Sequence, residues 1–327
     1  MKEKESETFT WLSLAKKLSR GPLGIAIGLG ILVVCLFRIG FRDIVTSFSG
    51  LEPGYLLAVA GAVLCWILIG ALNIKVMLSP LARPPFLQVF RLYTRAAMVS
   101  LVVPGQVGDA VLVSFFRRFS IPISQGATIF GIDKLITLLW YFLFGLYGCF
   151  LLDLFSGKGP VSRSAISPVT VAILLLLTVI GLILFFVLLN SRIGQRIQNW
   201  VRLSFEYIAM ARKAIILDLC ITGFRTLTLG CAYWFIIQAY GPAPSFIQTL
   251  CLAILGGLVA YIPLSFNGLG TVEAALIYLF GRVGIESSQI LAAALSLRVI
   301  TIVIISSAAF VSSLMYREDD PEESLNH

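Results

Sequence analysis

Along this chain long apolar runs alternate with short polar segments, and the lengths of the runs sort the elements. Runs at about 21–37, 53–78, 126–152, 166–189, 214–240 and 288–315 each approach or exceed the roughly 20 residues that cross a bilayer as a helix, which predicts six full transmembrane spans. Two other apolar stretches are interrupted. Residues 91–103 and 109–116 are each too short to cross, and Pro104, Gly105 and Gly108 break the helix between them; residues 246–280 are broken at Pro263 and at Asn267, Gly268 and Gly270. Both read as re-entrant helical hairpins, which membranes tolerate where the irregular backbone is buried in protein or lines a wet cavity. Residues 191–213 are polar and amphipathic and predict a surface helix. The expected fold is therefore an all-α polytopic integral membrane protein: a tail over 1–20, a single membrane domain over 21–315, and an acidic tail over 316–327. No small-x-small cleavage site follows the run at 21–37, so it is read as a membrane helix and not as a leader.

The interrupted stretches are related to one another. At constant offset DAVLVSFFRRFSIPISQ, from Asp109, falls on EAALIYLFGRVGIESSQ, from Glu273, and further on Lys134 falls on Arg298 and Ile136-Thr137 on Ile300-Thr301. Apolar matches mean little in so hydrophobic a chain, but charges are rare in it. An acid and a base recurring at one separation point to an internal duplication, with repeat cores at about 91–152 and 246–315.

Composition agrees with the pattern: of 327 residues 58% are hydrophobic and 13% charged, beyond the range of a soluble domain. The net charge of +8 resides largely in short connecting segments, where it reads as a topology signal and not as a nucleic-acid surface. Its distribution favours both termini on the cytoplasmic side of the cell membrane. With three spans between them, the two hairpins then enter from opposite faces as an inverted repeat, an architecture that places transporter sites at the breaks near the midplane. The lone histidine, His327, excludes histidine catalysis and histidine metal ligation; no cofactor and no metal is expected. Six cysteines lie in apolar spans without a CxxC pair and read as small packing residues.

Charges inside apolar segments carry the functional signal, since each costs at least about 2.5 to 3.5 kcal/mol to insert. Lys134, Arg225 and Arg298 are the candidates to bind an anionic headgroup such as a lipid phosphate. Asp109, Asp133 and Glu273 are candidates for charge pairing or ion coupling, and Asp218 is a further acid in or beside an apolar segment. The competing reading is mutual neutralisation, with Asp109–Lys134 and Glu273–Arg298 as ion pairs that pin the hairpins. Gly268 and Gly270 before Glu273 suggest a turn into a helix N-terminus, either steric in purpose or anion-attracting.

With PGQVGDAVLVSFFRR, Asp133-Lys134 and IPLSFNGLGTVEAAL in hand, and Arg298 downstream, the chain resembles the flippase-like membrane domain of lysylphosphatidylglycerol synthases and its stand-alone relatives. It departs in Asp109 where the family usually has Glu, Lys134 where Arg is usual, and Asn267 where a second Gly is common. The resemblance implies an integral membrane protein that moves a phospho- or glycolipid between leaflets. It also implies that aminoacyl transfer is absent, because the synthases carry a soluble transferase domain after the membrane domain and this chain stops soon after its last span. Two alternatives stand beside it: a non-transporting partner that presents lipid to a glycosyl- or aminoacyl-transferase, and a membrane enzyme acting on lipid phosphates. No nucleotide-binding loop is present, so transport would be passive or ion-driven.

Overall fold

The computed structural model describes Val33 and residues 52–102, 107–151, 202–261 and 268–314, and all regular structure among them is helical. The α-helices are α1 (Pro53–Leu78), α2 (Phe86–Val102), α3 (Val107–Phe115), α4 (Ile123–Leu151), α5 (Arg212–Tyr240), α6 (Phe246–Leu258), α7 (Thr271–Gly281) and α8 (Ser287–Leu314). Short 3₁₀ turns follow α3, at Phe116–Phe119, and α6, at Val259–Tyr261, and residues 202–210 are helical. Among the described residues α1, α4, α5 and α8 are long and apolar enough to cross a bilayer; the chain is a multi-pass membrane protein. The spans expected at 21–37 and 166–189, both tails, and the hairpin positions Pro104, Gly105, Pro263 and Asn267 lie outside the described residues.

The first described span opens where the apolar run does, because Pro53 sits in the first helical turn, where its missing N–H costs nothing. α2 starts earlier than the expected Arg91. Phe86 stacks on Phe90 one turn later at 5.9 Å, and Arg91 is itself buried, so the first charge does not mark the helix edge. α6 starts at Phe246, as expected, behind a capping box in which Ser245 Oγ accepts from Gln248 N (3.4 Å) and Ser245 N donates to Gln248 Oε1 (3.3 Å).

α1 and α5 form the central pair, and the remaining helices pack around them in matched sets. α1 packs on α2 as α5 packs on α6, α2 on α3 as α6 on α7, and α3 on α4 as α7 on α8. Across the molecule α2 packs on α8 as α6 packs on α4. The connecting turns match too. Ser120 (φ 60°) and Gly284 (φ 85°) are both left-handed, and each is followed by an isoleucine whose N–H donates to a buried phenylalanine carbonyl, Ile121 to Phe116 (3.3 Å) and Ile285 to Phe280 (3.2 Å).

Two apolar clusters make the core, one where α1, α5, α7 and α8 meet and one where α1, α2, α3 and α4 meet. Outside them the spans stay apolar: Leu135, Leu139, Phe142 and Leu146 on α4 and Val299, Val303 and Phe310 on α8 are exposed, which is stable against lipid and would aggregate in water. The cysteines divide the same way. Cys251 is buried as expected of a packing residue, whereas Cys65 and Cys220 lie on exposed faces, where the lipid-side surface accepts a small apolar side chain equally well.

Within the first interrupted stretch α3 lies so close to α2 that a side chain at Gly108 would fall on Ser100 and on the Ala96 carbonyl. Glycine there is steric: it lets the two backbones touch.

Candidate functional site

Two neighbouring cavities, of about 330 Å³ and about 360 Å³, open between the helices and share Trp66, Leu101 and Thr301 in their walls. The first is lined by both α2 and α3, by Lys134 and Tyr141 on α4, and by Thr222, Arg225 and Thr226 on α5. The second lies against α7 and α8 and holds Glu273, Arg298 and Tyr233 among leucines and valines. Each cavity is therefore walled by one of the two interrupted stretches together with the central pair.

Arg225 lies 13 residues after Arg212 (225 − 212), about 20 Å along α5 at 1.5 Å per residue, near mid-membrane. Its Nη2 donates to Tyr93 Oη at 2.8 Å, and its guanidinium carbon stands 4.8 Å from the Trp66 ring centre and 6.0 Å from that of Tyr93. A planar cation held against aromatic faces gains roughly 0.5–2 kcal/mol from their quadrupoles and keeps N–H groups for other acceptors. Gly70 makes this arrangement possible: a Cβ there would strike the Tyr93 ring at 2.8 Å and approach Arg225 Nε at 3.2 Å. Lys134 lines the same cavity with its Nζ 4.9 Å from the Phe130 ring centre.

Glu273 has a double task. Its Oε2 accepts from Gly270 N at 2.7 Å, half of a capping box whose other half is missing because glycine has no hydroxyl to offer. Its Oε1 accepts from Arg298 Nη2 (2.7 Å) and Nε (3.0 Å). The carboxylate is buried, with 2% of its side chain exposed, whereas 27% of the Arg298 side chain remains exposed. Gly268 (φ 70°) and Gly270 (φ 77°) occupy the left-handed region that lets the chain turn into α7.

Asp133 points away from Lys134. It is buried and accepts from Asn73 Nδ2 at 2.6 Å, and the same amide nitrogen donates to Thr222 Oγ1 at 3.0 Å. Asp218 faces this amide from one turn earlier on α5 and is likewise fully buried.

Of the three bases singled out in the sequence, the structure thus gathers Lys134 and Arg225 in one cavity and puts Arg298 in the next. It brings Glu273 onto Arg298 and Asp133 onto Asn73; the Asp109 side chain lies outside what the structure describes. Sequence reasoning missed Trp66, Gly70, Asn73 and Tyr93. Asn73 alone carried a signal, as an amide in an otherwise apolar run; Trp66 and Tyr93 look like any other membrane aromatic until Arg225 is seen between them.

Residues 23–309 match the family model described as "Lysylphosphatidylglycerol synthase TM region". No curated protein matches the chain.

Proposed function

The chain belongs to the lysylphosphatidylglycerol synthase transmembrane-region family, and on that premise we propose that it is a lipid translocase, which binds an anionic phospho- or glycolipid headgroup inside the membrane and carries it between leaflets. One observation carries this reading: two bases from different helices, Lys134 and Arg225, line a single cavity near the middle of a membrane domain. The volume is at the low end of small-molecule sites and fits a headgroup. Lys134 supplies a compact charge and Arg225 a planar fork suited to a phosphate. The adjoining cavity, with Val63, Leu229, Leu276 and Ile302 in its wall, offers apolar surface where the acyl chains would begin. Arg298 faces that cavity while bound to Glu273, and would exchange part of that pair for the headgroup as the lipid moves.

The matched helix packing and matched left-handed turns support reading the two interrupted stretches as re-entrant hairpins of an inverted repeat within six spans. Alternating access then is rocking of one repeat against the other around the central pair of α1 and α5. The distribution of basic residues supports both termini in the cytoplasm and the cell membrane as the site of action.

The test is exchange of labelled anionic phospholipid between leaflets of liposomes carrying the purified protein, with Arg225→Ala and Arg298→Ala beside it. Exchange by the wild type and its loss in folded variants is expected. Wild-type rates in Arg225→Ala, or no exchange of any anionic lipid by the wild type, would sink the proposal.

A further inference from the structure

Behind the Arg225 cavity lies a buried polar cluster in which, among the described residues, the Asp218 carboxyl has no hydrogen-bond donor. Asn73 (α1), Asp133 (α4), Asp218 and Thr222 (α5) are each at most 3% exposed, and Asn73 presents its single amide to acceptors on two sides. Asn73 Nδ2 already serves Asp133 and Thr222. Among the described residues Asn73 Oδ1 and both Asp218 carboxyl oxygens lack a hydrogen-bond partner, although the amide and that carboxyl face one another. All three orphan atoms are acceptors. Turning the amide end for end would bring its nitrogen to Asp218 only by taking it from Asp133, so the two acids compete for one amide. Buried acceptors left without a donor cost about 1–3 kcal/mol each, and more when charged.

A proton on Asp218 relieves the deficit, because a carboxylic O–H is the donor that Asn73 Oδ1 lacks and the carboxyl oxygen that still has no donor is then uncharged. A metal cation fits less well, since the guanidinium of Arg225 is among the groups facing Asp218 and repels it. The other charged or titratable groups facing Asp218 are Asp133 from α4 and Tyr207 from the 202–210 stretch, whose hydroxyl donates to the Met77 carbonyl.

From this geometry we infer that Asp218, with Asn73 and Asp133, is a proton-binding site coupled to headgroup binding at Arg225. This rests on the translocase reading for its coupling, though not for the proton. The connection is short. Asp218, Thr222, Arg225 and Thr226 share one face of α5, and Thr222 belongs to both sites: it accepts from Asn73 and lines the Arg225 cavity. A headgroup anion beside Arg225 adds negative potential at Asp218 and favours its proton; by reciprocity the proton strengthens anion binding by the same factor. An O–H bond forms at Asp218 from solvent water on loading and breaks to solvent on release, so lipid and proton move together.

The experiment uses the purified full chain and a short-chain phosphatidylglycerol in neutral-lipid nanodiscs. Infrared difference spectra taken on stepping the pH, with and without lipid, read protonated carboxyls, and fluorescence titrations from about pH 5 to about pH 9 read affinity. The expected result is a protonated-carboxyl band in the wild type that Asp218→Asn removes. Lipid affinity should fall with rising pH by up to about tenfold per pH unit, and in Asp218→Asn it should no longer depend on pH. Absence of the band in the wild type overturns the proton site even if Asp218→Asn does not fold, since that measurement needs no variant. Persistence of the band in a folded Asp218→Asn overturns its assignment. Binding that is strong yet independent of pH overturns the coupling and leaves the translocase reading intact. Binding that depends on sodium at fixed pH also overturns it, in favour of a metal ion. A band that titrates while no anionic lipid binds at any pH overturns the translocase reading and with it the coupling, and upholds the proton on Asp218.

Discussion

Glu273 and Arg298 can be separated into a pin and a ligand by one double-mutant cycle. Breaking a fully buried ion pair from one side costs about 3–5 kcal/mol, while an exposed pair contributes about 0–1 kcal/mol. Here the acid is buried and the base is partly exposed, so a coupling energy between those limits, about 2 kcal/mol, is expected. Glu273→Ala also strips Gly270 N of its acceptor at the start of α7, a loss of about 1 kcal/mol. That makes it the worse of the two single variants, at about 3 kcal/mol. Arg298→Ala keeps the cap and leaves the carboxylate without its base, for about 2 kcal/mol. The double variant should be more stable than the sum of the singles by the coupling, about thirtyfold in the unfolding equilibrium. Unfolding of the four proteins by SDS in mixed micelles measures the cycle, and leaflet exchange is followed on the same samples. By these figures the double variant is about as stable as Glu273→Ala, and with a headgroup role for Arg298 the two differ in exchange, which Glu273→Ala retains and the double variant loses. Equal exchange by these two variants at equal stability would reduce the pair to a structural pin and refute that role. Additivity within about 0.5 kcal/mol would refute the ion pair itself.

Three further outcomes follow from the site. Arg225→Lys keeps the charge and loses the fork and the stacking on Trp66, so binding of labelled anionic lipid in micelles should weaken by about tenfold while the SDS midpoint moves little. Gly70→Val drives a side chain into Tyr93 and Arg225; it should destabilise by about 1–3 kcal/mol and weaken lipid binding together, and wild-type affinity would show that Tyr93 does not position the arginine. Asn73→Leu leaves Asp133 without its amide donor in the core and should cost about 1–3 kcal/mol in the same unfolding assay, whereas an exposed apolar position such as Leu139→Ala should change little.

Much of the architecture was legible because lipid imposes local demands. A span must be apolar over a fixed length, and a proline or a glycine cluster interrupts it wherever it falls, so the run at 53–78 became α1 and the break near Gly268 precedes α7. The start of α2 was misplaced for the complementary reason: a charge was taken as a boundary, and Arg91 is buried by neighbours the local sequence does not name. The Glu273–Arg298 pair was foreseen as one of two readings, since an acid at a helix start and a base on the next span are close in the chain. The surroundings of Arg225 were not, because Trp66 and Tyr93 arrive from two other helices.

The class, the four crossing helices among the described residues and the set of charges the membrane must accommodate were already written in the amino-acid sequence, for these follow from residue-by-residue transfer into lipid. Which charge meets which was decided by the tertiary structure alone. Lys134 joins Arg225 and Asp133 turns to Asn73, although Lys134 and Asp133 are adjacent in the chain, because successive residues of a helix face different neighbours. A buried charge is stabilised by groups within a few ångströms, and those groups are set by how α1, α2, α4 and α5 pack.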